Sequence, residues 1–259
     1  MKPLFVSHGA PNLVLHNSEA RAFLSQMGEA LEAPRAILMV TAHFETDRPT
    51  LTTNAKPPMI YDFGGFEPEL REIVYGAPGS PAVAAEAFAL LSEAGFEPQM
   101  DASRGYDHGT WVPLSLMRPQ ADIPVVQLSV QPDKGAAYHF ELGQALKPLA
   151  DSGVLIIGSG AATHNLHEFF KGQYRIDSPV PNWVRSFGDW LDARIEAGDT
   201  EALMAYRTGA PNGARNHPTE EHLLPLFVAM GAAGAGARGT RIHTSQQYGV
   251  LMMDCYRFG

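Results

Sequence analysis

Four short, almost unbroken apolar runs constrain this chain more than any other feature: "PLFVS" at 3–7, "AILMVTA" at 36–42, "IPVVQLSV" at 123–130 and "VLIIG" at 154–158. Each is strand-length and rich in β-branched residues, as befits strands covered on both faces. Helix-length segments separate them. The patterning predicts helices over Glu19–Leu31, Pro81–Glu93, Ala136–Ala150, Pro181–Ala197, Glu201–Tyr206 and Thr219–Met230. Pro81 suits a helix start and Gly95 a helix end. Strands alternating with helices predict an α/β fold: one domain over 1–259, with a mostly parallel sheet and helices on both faces. The C-terminal "TRIHTSQQYGVLMMDCYRFG" reads as a strand pair at a sheet edge with Gly249 at the bend. "KPPMIYDFGGFEPELREIVYGAPGSP" fits no element and reads as an ordered lid or pocket wall.

Composition narrows the function classes. A net charge of −9 argues against nucleic acid, whose phosphates want a basic surface. No apolar stretch is long enough for a membrane span. Met1-Lys2-Pro3 leads into a strand rather than a signal peptide, and the one cysteine, Cys255, has no disulfide partner in the chain. A cytoplasmic location is the expectation.

Ten histidines are many for 259 residues, and three stand where strands end: His8, His43 and His164. In open α/β sheets ligands bind beyond the carboxyl ends of the strands, so parallel strands would bring these imidazoles into one crevice. Neutral imidazole is the commonest metal-binding side chain. Ser7, Thr41 and Thr163 could fix the ring tautomers. His222, expected on the first turn of its helix, is a fourth candidate. Its neighbour Glu221 leaves open a site of two histidines and one carboxylate. Asp107 and His108 form a turn before a helix. Any one of these histidines alone reads more readily as a loop or first-turn residue; the repetition favours a metal site. "GSGAA" at 158–162 has neither nucleophile-elbow nor phosphate-loop spacing.

The segments "SHGAP", "TAHFE", "YDFGGFEPEL", "DHGTW", "VQLSV", "SGAATHNL" and "PTEEHLLPL", in this order over nearly the whole chain, resemble the class III extradiol ring-cleavage dioxygenases, in particular the DOPA 4,5-dioxygenase-like subgroup. The resemblance implies a catechol substrate opened with O2. It implies His8, His43 and His222 as metal ligands, and His164 as an acid/base residue that also approaches the metal. It implies His108 as a second catalytic residue, with Tyr61, Phe63 and Asp107 beside the substrate. The wider class uses two histidines and a glutamate on iron; here His222 stands at the third position, beside Glu221. Fe(II) is the metal expected for activity. An all-imidazole set also suits Zn(II), which binds such sites more tightly. Two rival readings remain, a zinc-dependent hydrolase and a non-enzymatic metal-binding relative. Nothing in the sequence points to an oligomeric state.

Overall fold

A computed structural model describes residues 1–259. The strands are β1 (Leu4–Ser7), β2 (Ala36–Glu45), β3 (Thr50–Thr52), β4 (Gln99–Asp101), β5 (Val125–Val130), β6 (Val154–Gly160), β7 (Gly239–His243), β8 (Gln246–Gln247), β9 (Leu251–Met252) and β10 (Cys255–Phe258). The first seven helices are α1 (Glu19–Ala30), α2 (Pro81–Glu93), α3 (His108–Met117), α4 (Gly135–Ala145), the short α5 (Lys147–Asp151), α6 (Leu166–Gly172) and α7 (Asn182–Ala197). Three short turns, α8 (Thr200–Met204), α9 (Tyr206–Gly209) and α10 (Gly213–Asn216), precede α11 (Leu224–Ala232).

Eight strands form one sheet in the order β4-β3-β5-β2-β6-β1-β10-β7. The central four, β5, β2, β6 and β1, are parallel. β10 joins β1 antiparallel and β7 follows, so the C-terminal strands extend the sheet. The bend at Gly249 (φ +66°) lies between β8 and β9, a separate small pair. The two faces of the central strands feed two cores. Ile37 and Met39 of β2, with Leu155 and Ile157 of β6, pack beneath α1 and α3. Leu38, Val40, Val154 and Ile156 pack on the other face with α2, α4, α7 and α11. This period-two division of continuously apolar strands is what helices on both faces require. The fold is the predicted α/β type.

Three local expectations are corrected. The helix expected over Ala136–Ala150 is divided at Leu146, with Pro148 in the first turn of α5. The helix expected from Thr219 starts only at Leu224. His222 therefore sits in the turn before α11, and the Thr219 hydroxyl donates to Glu221 rather than capping a helix. β2 runs three residues further than expected, placing His43 inside the strand.

Glycine brings the edge together. A Cβ on Gly160, the last residue of β6, would collide with the His222 carbonyl. That carbonyl instead accepts from the Ala161 N–H at 2.9 Å. Without a side chain at 160, the 217–223 turn lies directly on the strand end and delivers His222 to the crevice.

Candidate functional site

His8, one residue past β1, His43, near the end of β2, and His222 converge at the carboxyl edge of the parallel strands. Their ring centroids are 5.0 Å (His8–His43), 5.0 Å (His43–His222) and 5.6 Å (His8–His222) apart. His164, four residues past β6, stacks on His222 at 3.5 Å. His108, the first residue of α3, lies 3.8 Å from His43. Five imidazoles from five segments thus share one cavity of about 250 Å³, closed on the other side by Phe63, Phe66 and Met253.

Hydrogen bonds assign the tautomers. The Ser159 hydroxyl donates to the Gly109 carbonyl, so its oxygen is left to accept from His8 Nδ1 at 3.0 Å. Glu221 accepts from His222 Nδ1 at 2.8 Å, and Asp62 from His108 Nδ1 at 2.8 Å. The other Asp62 oxygen lies 3.6 Å from His43 Nδ1. An acceptor therefore holds Nδ1 of His8 and of His222 and leaves their Nε2 lone pairs free, while at His43 the Asp62 carboxylate lies near Nδ1 but beyond hydrogen-bond distance. The Nε2 atoms of His8 and His43 face each other at 3.1 Å. Two lone pairs aimed at one another are unfavourable unless a proton or a cation lies between them. This donor set fits a divalent metal, whose imidazole ligands are held through the far nitrogen by carboxylates or other acceptors.

Electrostatics agree. Burial, then mutual repulsion with neighbouring imidazoles, pulls His8 and His222 well below the ordinary histidine value. The same causes bring His43 to about 3, against an opposing pull from Asp62. Burial and His108 lower His164 to about 4. All four are neutral at pH 7, the form that binds metal or accepts a proton. Burial alone would raise Asp62, but its hydrogen bond to His108 and the nearby His43 outweigh that and bring it to about 2.

The remaining sequence candidates lie further out. Phe63 lines the cavity. Tyr61 stands behind it, edge-on to Phe63 and Trp111, with its hydroxyl donating to Ile73 O. Asp107 does not face the cavity. It is fully buried, caps α3 through the Thr110 N–H, and accepts from Thr41 and Arg104. Its place is structural because its carboxylate oxygens are taken up by these partners. Ser7, Thr41 and Thr163, expected to orient rings, bind Asp254 O, Asp107 and Val250 O instead. The residues that do face Nδ1 are Ser159, Asp62 and Glu221. Glu221 points at the imidazole next door, and Ser159 was obscured by the motif it failed to complete.

Comparison with known proteins gives the family. Residues 5–258 match the family model described as the catalytic LigB subunit of aromatic ring-opening dioxygenase. A protein of Beta vulgaris named 4,5-DOPA dioxygenase extradiol is 43% identical over 98% of this chain and 95% of its own length. An Escherichia coli protein of the same name is 38% identical over 90% of this chain and 85% of its own. The crystal structure of an uncharacterized Escherichia coli protein superposes with a TM-score of 0.82 at 34% identity, covering all of both chains. With its histidines gathered at the strand edge and its whole length matched, the chain belongs to the LigB family of aromatic ring-opening dioxygenases and is an extradiol dioxygenase.

Proposed function

We propose that His8, His43 and His222 hold one divalent metal through Nε2, with Fe(II) as the working ion. His164 is a fourth imidazole at the same centre, and the substrate is a catechol. DOPA, the compound in the relatives' names, is the first candidate. The observation that supports this reading is the gathering of His8, His43 and His222 with ring centroids 5.0 to 5.6 Å apart, the Nδ1 atoms of His8 and His222 each held by a protein acceptor. Zn(II) fits the same donors and stands higher in the affinity order, so a zinc-filled sample is expected unless iron is supplied.

The metal would acidify the catechol hydroxyls and, as iron, supply the redox chemistry that O2 activation needs. The chain's own residues do the rest. His164 has no carboxylate or hydroxyl on its side chain to hold a proton away from the cavity, and it is neutral at pH 7. It takes a catechol hydroxyl proton and returns it when the ring opens. His108, its Nδ1 held by Asp62, turns Nε2 toward the substrate oxygens and fixes their position. Phe63 and Phe66 cover the ring and exclude bulk water. Tyr61 braces Phe63 from behind.

The test is anaerobic loading with Fe(II) or Zn(II), followed by DOPA and simpler catechols under air. Iron-dependent O2 uptake with a yellow ring-opened product is expected. Ester or amide hydrolysis by the zinc form, without O2 uptake by the iron form, would overturn the reading.

A further inference from the structure

His164 and His222 lie far apart in the chain, yet their rings stack at 3.5 Å with planes 11° apart. The backbone around them sets that stack. The loop after β6 and the turn before α11 run antiparallel and are laced together. The Ala161 N–H donates to the His222 carbonyl at 2.9 Å, and the His164 N–H to the Asn216 carbonyl at 3.1 Å. Asn165 Nδ2 donates to the Arg215 carbonyl. Between the His222 and Asn216 rungs the turn bulges outward at Pro218 and Thr219, both exposed. Pro218 has no N–H to give. Ala162, wholly buried opposite the bulge, takes its donor from a side chain instead: His217 Nε2 donates to its carbonyl at 3.0 Å. The His217 rung therefore lies between the one that carries His222 and the one that carries His164. The Ala162 N–H donates to the Ser7 hydroxyl at 3.1 Å, so this peptide is pinned to the end of β1 on one side and to the turn on the other.

The surroundings of His217 show what its ring contributes. It is wholly buried, edge-on to Phe187 and Tyr206. Only an N–H can donate to a carbonyl, so the proton sits on Nε2. Nδ1 has no partner. A buried polar atom without a partner costs free energy, and an apolar side chain would fill this space without that cost. What imidazole adds here is the bond to Ala162.

We infer that His217 is a positioning residue: by holding the Ala162 carbonyl it fixes the loop that carries His164 against the turn that carries His222, and so sets where the His164 ring stands in the cavity. The inference rests on the proposed proton-transfer role of His164.

The experiment measures kcat and KM with DOPA by O2 uptake on Fe(II)-loaded enzyme, together with metal per chain and melting temperature. His217→Leu removes the donor and keeps most of the bulk. Turnover per iron-loaded chain is expected to fall about tenfold, within the scale of a reacting group shifted by less than about 1 Å, while KM and metal content stay near native. His217→Gln keeps an N–H donor and should recover most of the loss. In the His164→Ala background His217→Leu should cost nothing further, because its effect passes through His164. A lower melting temperature with native turnover per iron-loaded chain would make His217 a packing residue and overturn the inference. A further loss in the His164→Ala background overturns it too, as does loss of metal large enough to account for the slower rate, since the rung would then serve His222. Should His217→Leu not fold, Asn165→Ser can still cap α6 but cannot reach Arg215, and goes through the same cycle. A loss confined to the native background upholds the laced loops as the device; equal losses in both backgrounds overturn it. A native rate in His164→Ala itself would overturn the proton-transfer reading, whereas a slow His164→Ala beside a fast His217→Leu overturns the positioning role alone.

Discussion

His139 on one side, and His8 and His222 of the histidine cluster on the other, are buried imidazoles in one molecule, and neither burial nor charge tells them apart. His139, in α4, is wholly buried, and burial brings it to about 4. The difference lies in where the ring nitrogens are spent. In His139 both are used: Nδ1 donates to the Gly135 carbonyl at 2.7 Å, and Nε2 accepts the Gln131 N–H at 3.0 Å. The ring is a clip between the end of β5 and the first turn of α4. In His8 and His222 only Nδ1 is held by a protein acceptor, and the Nε2 atoms of His8 and His43 are left facing each other at 3.1 Å. Accounting for each polar atom separates the fully bonded His139 from the cluster histidines where a lowered pKa does not.

The strongest break of that comparison is removal of the proposed metal ligands. His8→Ala or His43→Ala should abolish metal retention, measured as metal per chain after dialysis against a weak chelator. His139→Gln should leave metal content unchanged. Full occupancy in either ligand variant would mean that the inward Nε2 atoms do not form the centre.

His139 offers the next test, through acid stability. Its folded pKa is depressed below the unfolded value near 6.5. The neutral ring's contribution is therefore fully present above about pH 6.5 and is lost as pH falls toward about 4. Complete loss corresponds to about 3 kcal/mol. Urea denaturation of the metal-free native chain and of His139→Gln should show a stability gap that narrows by that order between pH 7 and pH 4. A gap independent of pH would show that the ring is not held neutral by its surroundings.

His164 sharpens the functional side. It shares the cavity and the neutral state, but no side-chain acceptor holds its Nδ1. His164→Ala should keep the metal nearly as well as the native chain and lower turnover by about 100-fold, the usual scale for a lost acid/base group. An unchanged rate would remove it from proton transfer. Loss of the metal would make it an obligatory ligand.

The contrast also shows what could be read from the chain alone. The α/β fold and the crevice were legible, because four continuous apolar runs demand coverage on both faces, and parallel strands place their ends together. His8, His43 and His164 were legible because they follow those runs. The edges of the sheet were not. β3 and β4 are three residues each and carry little periodicity. The role of Asp107 was misread because an acidic residue beside His108 looks alike in sequence whether it caps a helix or faces a ligand. Asp62 and Ser159 were missed for a different reason. Each meets its histidine across a long stretch of chain, Asp62 to His108 over 46 positions and Ser159 to His8 over 151. No local pattern encodes such a pairing.

Ser159 is therefore the finest test of the tautomer argument. Its oxygen is polarised by donation to the Gly109 carbonyl, and so it accepts the His8 Nδ1 proton. Ser159→Ala removes this acceptor without touching a ligand. It leaves His8 Nδ1–H buried with no partner, and the tautomer with Nε2 protonated becomes competitive. Metal affinity should fall by about tenfold, the lower end for loss of an outer hydrogen bond at a metal site. Competitive titration against a chelator measures it directly. Ser159→Thr retains the hydroxyl and should recover affinity if the methyl group is accommodated beside β1. A Ser159→Ala affinity equal to that of the native chain would show that the burial of His8, and not its hydrogen bond, sets the direction of the ring.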